Sequence, residues 1–79
     1  MTEDQKAISL ILDLLNVTRQ VPRTRDWIET EVKLAGRKCD VATLLEAMAD
    51  EELVEVTKDG LKIKRYTITL KGREVLDSL

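Results

Sequence analysis

Apolar residues recur at helical spacing near the start of the chain. Ile8, Ile11, Leu12 and Leu15 mark one face, and Leu10, Leu14 and Val17 broaden it. Thr2 followed by Gln5 is a capping-box pair, and Glu3 and Asp4 suit the positive end of a helix dipole. So wide a stripe predicts burial against more than one neighbour. Pro22 disfavours helix at Val21, so Val21 to Arg23 read as a short extended segment. Thr24 then caps a second helix from Arg25 to about Ala35, with Trp27, Ile28, Val32 and Ala35 on one face and Leu34 at its edge. Gly36 falls where a left-handed C-cap belongs. Asp40 caps a third helix from Val41 to about Glu51, and Val41, Leu44, Leu45 and Met48 form its apolar face.

At Leu53 the period changes. Val54 and Val56 alternate with Glu55 and Thr57, and Tyr66, Ile68 and Leu70 alternate with Thr67 and Thr69. Asp59-Gly60 between the two runs predicts a hairpin in which Gly takes positive φ. An isolated hairpin is marginal in water, so Val21–Arg23 is the expected third strand. Thr69 caps a short last helix whose Val75, Leu76 and Leu79 face inward. Read back from Tyr66 with period two, the inward positions become Lys64 and Lys62. The hairpin is therefore expected to project beyond the body there, or to carry a bulge.

Two helices joined by the tight turn Gly36 to Cys39 make a helix-turn-helix, and the full order of elements is that of a winged helix. The stretch VATLLEAMADEELVEV resembles the third helix and the start of the wing in MarR- and PadR-type transcriptional regulators, with Val41, Leu45, Met48 and Leu53-Val54 at the matching positions. YTITLKGREVL is similar to their closing segment, with Tyr66, Thr69, Gly72 and Leu76 in place. The resemblance implies a single α+β winged helix-turn-helix domain over 1–79: a three-helix core, a small antiparallel sheet with a β-hairpin wing, and a short C-terminal helix. The family usually has Gly just before that Leu-Val, where this chain has Glu52. In DNA-binding members the exposed face of the third helix is polar and basic. Here Ala42, Thr43, Glu46, Ala47 and Asp50 occupy it.

Composition sharpens the contrast. The chain has 79 residues with 13 Lys and Arg against 15 Asp and Glu, a net charge of −2. Residues 1–57 carry seven basic and twelve acidic side chains, whereas residues 58–79 carry six and three. The absence of His excludes His-based metal sites and general bases, and one Cys builds no zinc site. Ser9 and Ser78 have no His to activate them, and Gly36, Gly60 and Gly72 are too scattered for a phosphate loop. These features predict a protein that is not an enzyme and uses no cofactor. No apolar run approaches the length of a membrane span, and acids come too early for a signal peptide, so a cytoplasmic chain is expected. Cys39 offers either an inert small residue or a redox-sensing thiol whose pKa Arg37, Lys38 and the helix start would lower.

The expected function is duplex DNA binding in transcriptional regulation, made around the third helix rather than by it. Lys58, Lys62, Lys64 and Arg65 on the wing would track phosphates or enter a minor groove. Arg23 and Arg25 before the second helix, and Arg37 and Lys38 before the third, sit where helix N-termini favour anions. Thr43 would meet a thymine methyl and Glu46 a cytosine amino group. The alternative is a protein-interaction module on the same fold, turning the acidic third-helix face to a basic partner. Lysines at a hairpin tip also serve solubility and block edge pairing. MarR- and PadR-type proteins dimerise through long additional helices. Here the stripe with Leu10 and Leu14 is either a dimer face or covered by the wing base and last helix, so monomer and homodimer both stand.

Overall fold

Helix starts follow the caps that the sequence announces. Thr2 Oγ1 accepts from the Gln5 N–H at 3.1 Å while Gln5 Oε1 accepts from the Thr2 N–H at 2.9 Å, so the first helix opens with two otherwise orphan donors satisfied. The computed structural model describes residues 2–78. The elements are α1 (Glu3–Val17), β1 (Arg23–Thr24), α2 (Arg25–Leu34), α3 (Val41–Asp50), β2 (Val54–Lys58), β3 (Lys64–Ile68) and α4 (Leu70–Ser78). The described residues thus form an α+β fold of four helices and a three-stranded antiparallel sheet, ordered β1-β3-β2.

The core lies between three helices and the base of the hairpin. Ile11, Leu12 and Leu15 of α1 meet Ile28 and Val32 of α2 and Val41, Leu44, Leu45 and Met48 of α3, and Val54 and Tyr66 close it from the sheet. Ala7 is fully buried one turn before Ile11. Ile8, Leu10, Val75 and Leu76 pack as a half-buried second layer. The broad stripe of α1 is flanked by α4 and β3, as well as by α2 and α3. The position expected for Leu79 lies outside the described residues.

Several boundaries differ from the periodic reading. The extended segment is Arg23–Thr24 rather than Val21–Arg23, because the Val21 N–H closes a turn onto Thr18 O at 2.8 Å and the chain extends only beyond Pro22. Ala35 is the exposed C-cap of α2 instead of part of its buried face. Leu70 leaves the strand alternation, opens α4 and is exposed. Val56, opposite the buried Tyr66, is also exposed, because it lines an open groove between the hairpin and α3.

Both α2 and α3 end in Schellman motifs, with different residues in the left-handed position. After α2, Gly36 at φ +79 sends its N–H to Lys33 O and the Arg37 N–H goes to Val32 O. After α3, Glu52 at φ +62 sends its N–H to Ala49 O and the Leu53 N–H goes to Met48 O. The second corner therefore needs the backbone of the Gly that MarR- and PadR-type sequences have there, and places a Cβ-bearing residue in it.

That corner is held from the other side by the start of α4. Thr69 Oγ1 donates to Glu52 O at 2.6 Å and accepts from the Gly72 N–H at 3.0 Å, while the Thr69 N–H donates to Leu53 O at 3.1 Å. A Cβ on Gly72 would run into Leu53 O and crowd Ile68. The Thr-x-x-Gly spacing thus fits a cap and a close backbone approach at one junction.

Replacing Gly72 with Ala is expected to destabilise the fold by about 2 kcal/mol or more, because the obstacle is backbone and cannot move aside. Thr69→Ala should lower stability by roughly 1–2 kcal/mol through loss of the cap and the hydroxyl bond. Glu52→Gly should raise it by about 0.5–1 kcal/mol, the relief of left-handed strain exceeding the added chain entropy. Urea unfolding of the three variants at constant m-value reads all three signs.

Candidate nucleic-acid interface

The hairpin is tied at its tip by one carboxylate. Asp59 Oδ1 accepts from the Leu61 N–H at 2.8 Å and the Ile63 N–H at 3.2 Å, and Oδ2 accepts from Arg65 Nη2 at 3.4 Å. The Lys62 N–H closes onto Asp59 O at 2.9 Å and the Asp59 N–H onto Ile63 O at 3.2 Å. This is a three-residue loop with a left-handed last residue, the arrangement that produces a bulge. The left-handed residue is Lys62, at φ +63, and not Gly60 as the Asp-Gly pair suggests. Asp-Gly supplies the acceptor and a small first loop residue, while the strain falls two positions later. The hydrogen bonds from Leu61 and Ile63, with the charge of Arg65 behind them, hold the Asp59 carboxyl below the usual carboxylate range.

Three lysines project around this tip. Lys58 and Lys64 are cross-strand partners, so two like charges stand directly opposite each other, and Lys62 follows on the loop. All three are exposed, and none forms an ion pair among the described residues. Arg65 belongs to the opposite side of β3, paired in register with Thr57 and Thr24, and its guanidinium is engaged by Asp59. The tip also carries two apolar side chains that periodic reasoning passed over, Leu61 at 80% exposure and Ile63 at 41%. Their signal in the sequence was two apolar letters inside an otherwise basic turn that has no core beneath it.

The remaining candidate residues fall into separate places. Arg25 lines an open cleft with Lys62, Lys64, Thr24, Asp26 and Tyr66, so the start of α2 and the hairpin share one surface. Arg25 also pairs with Glu29 across one helical turn at 3.5 Å, an exposed pair that holds it loosely. Arg37 and Lys38 lie across the α2–α3 turn in another cleft, with Cys39 and Asp40, and Arg37 reaches Glu3 at 3.2 Å. Arg23 stacks its guanidinium 4.4 Å from the centre of the Trp27 ring, and its Nε is shielded without a hydrogen-bond partner. That stacking makes it a brace between β1 and α2.

The start of α3 is already occupied by an internal anion. Asp40 Oδ1 accepts from the Thr43 N–H at 3.2 Å and Oδ2 from the Thr43 hydroxyl at 2.9 Å. These bonds, the hydroxyl first, hold the Asp40 carboxyl below its ordinary value. A phosphate there would meet a carboxylate, whereas the α2 start is capped by the neutral Thr24 hydroxyl at 3.3 Å from the Trp27 N–H. Glu46 and Asp50 of α3 line a groove with Val56, Lys64 and Tyr66, so Lys64 stands between an acidic and a basic depression. Cys39 is half-buried, and its thiol is pushed up, first by burial and then by Asp4, Glu3 and Asp40. This corrects the expectation that Arg37 and Lys38 would lower it: burial sets the direction, and the acids of the α1 start and the α3 cap add to it. Among the described residues no group of three or more His, Cys, Asp or Glu side chains is placed to hold a metal, and no helix is long and apolar enough to cross a membrane.

Because the Asp59 carboxyl is depressed in the fold, its contribution is complete above the unfolded value and is lost as pH falls through the lower, folded one. The hairpin tip should therefore stay ordered through mildly acidic conditions and loosen only below the usual carboxylate range. Asp59→Ala should release it at neutral pH. Amide hydrogen exchange at Leu61 and Ile63 checks this: both should exchange faster in the variant, while the Glu55 and Thr67 amides, paired nearer the base of the ladder, keep their protection.

No family model, no curated protein and no solved structure matches the chain.

Proposed function

We propose that this chain is a winged-helix domain of the transcription-regulator type that binds duplex DNA through its β2–β3 wing and the start of α2. The observation that carries this reading is the set of unpaired lysines at the tip. In a chain with 15 acids for 13 bases, Lys58, Lys62 and Lys64 have no counter-ion among the described residues, and two of them face each other across the ladder. Like charges held directly opposite oppose folding, and a phosphate backbone relieves that repulsion. Arg25 extends the same positive surface across the shared cleft. The acidic, internally capped α3 contributes little affinity here. The wing takes the larger share, in a regulator working in the cytoplasm as a monomer or homodimer.

The acidic groove of Glu46 and Asp50, floored by Val56 and Tyr66, supports a second reading, a protein-interaction module that receives a basic segment. On that reading, the domain captures a lysine-rich peptide, loses it on Glu46→Lys with Asp50→Lys, and leaves duplex DNA unbound at low salt.

Fluorescence anisotropy with a random duplex across a salt series separates the two. Wild type should bind with a steep salt dependence. Lys58→Ala, Lys62→Ala and Lys64→Ala together should weaken binding roughly tenfold or more and flatten the slope of log affinity against log salt by about 2.7. All three side chains are exposed, so an unchanged circular dichroism spectrum should accompany the loss. Affinity and slope equal to wild type in the triple variant would refute the wing as the contact.

A further inference from the structure

We infer that Leu61 is an apolar wedge, which enters the minor groove between base pairs and bends the duplex that the surrounding lysines hold. This deepens the DNA-binding reading above and rests on it.

Leu61 is 80% exposed at the far end of the hairpin, with the half-exposed Ile63 beside it. A single exposed Leu is ordinary on a protein surface and by itself points to nothing. The surroundings set this one apart. Lys62 follows it on the loop and the Lys58–Lys64 pair closes the ladder just below, all three without counter-ions among the described residues, so an apolar side chain stands at the end of a cationic hairpin. Solubility accounts for the lysines and not for the Leu between them. The occupant that matches both chemistries is a strongly anionic rim with an apolar interior. In a DNA minor groove, phosphates line both edges and the stacked faces of bases lie within reach of an inserted side chain.

The loop also has the stiffness that a wedge needs. Opening a base step costs a few kcal/mol, a sum that burial of one Leu side chain offsets only if the loop is not ordered at the same time. Here the Leu61 N–H is fixed to Asp59 Oδ1 at 2.8 Å, the next residue is locked in the left-handed region, and Arg65 anchors the same carboxylate from the strand. The side chain is presented on a braced turn. Pyrimidine–purine steps, the easiest to unstack, are the expected sites.

The test uses a duplex of about 20–30 base pairs with central TA steps and a fluorescent donor and acceptor at its two ends. Saturating wild type should raise energy transfer, since bending shortens the end-to-end distance. Leu61→Ala, at an exposed position, should fold normally and keep the wild-type salt slope. It should bind about tenfold more weakly and leave the transfer efficiency at that of free DNA, while Leu61→Phe should restore the rise. Wild type that binds without any rise, or Leu61→Ala that bends DNA as far as wild type, overturns the wedge and leaves the DNA reading standing. Absence of duplex binding removes both. Leu61-dependent binding to phosphatidylserine–phosphatidylcholine vesicles in place of DNA would instead assign the tip to a lipid surface, and overturns the proposal.

Discussion

The contact between Thr69, Gly72 and the corner after α3 is the constraint on which the hairpin depends. β2 leaves α3 through Glu52 and Leu53, and β3 enters α4 through Thr69, so the two ends of the hairpin must meet at one place. The Thr69 hydroxyl bonds Glu52 O and caps α4 at Gly72, and the Thr69 N–H bonds Leu53 O. Gly72 lies so close to Leu53 O that a side chain has no room. This junction aligns Val54 with Ile68, and the ladder then carries that register outward to Lys58 and Lys64. A one-residue slip would turn Tyr66 out of the core and every lysine to the other face.

The far end is held by a different device. No apolar residue is buried beyond Tyr66 on β3, so packing cannot order the tip. Asp59 does so through two backbone N–H groups and Arg65, and the left-handed turn at Lys62 persists because these bonds surround it. The hairpin is thus clamped by a hydroxyl at its base and a carboxylate at its tip. Between them lies a stretch whose lysines repel one another. Such an arrangement leaves Lys58, Lys62 and Lys64 without ion pairs among the described residues, even though acids outnumber bases in the chain.

Element order and most of the core were legible because they depend on local rules. The caps at Thr2, Thr24 and Asp40 and the helical spacing of Ile11, Leu12 and Leu15 report directly on structure. What escaped depends on groups distant in sequence or on backbone angles that residue type does not announce. Arg23 reads as a free cation in the sequence, which gives no sign that its guanidinium lies over Trp27. Arg37 and Lys38 next to Cys39 suggest a lowered thiol pKa, yet burial pushes it up, and Asp4 and Glu3, distant in sequence, add to that shift. Residue type does not announce the positive φ of Lys62 or Glu52: the local bonds of Asp59 impose the first, and the corner held by Thr69 imposes the second.

The distribution of charge also dictates an orientation for any polyanion. Glu46 and Asp50 face outward from α3, and the carboxylate of Asp40 closes its N-terminus. Phosphates are therefore repelled from the helix that a helix-turn-helix ordinarily presents, and drawn to the cleft shared by Arg25, Lys62 and Lys64. Lys64 and Tyr66 line both depressions, so the acidic groove and the basic cleft adjoin each other on this side of the hairpin. On the DNA-binding proposal, a duplex would lie against the hairpin and the α2 start rather than against α3. If the proposed DNA contact is made this way, sequence discrimination would rest on how easily the duplex deforms where the braced tip meets it, and the bonds that fix Asp59 and Lys62 would bear on specificity as well as on shape.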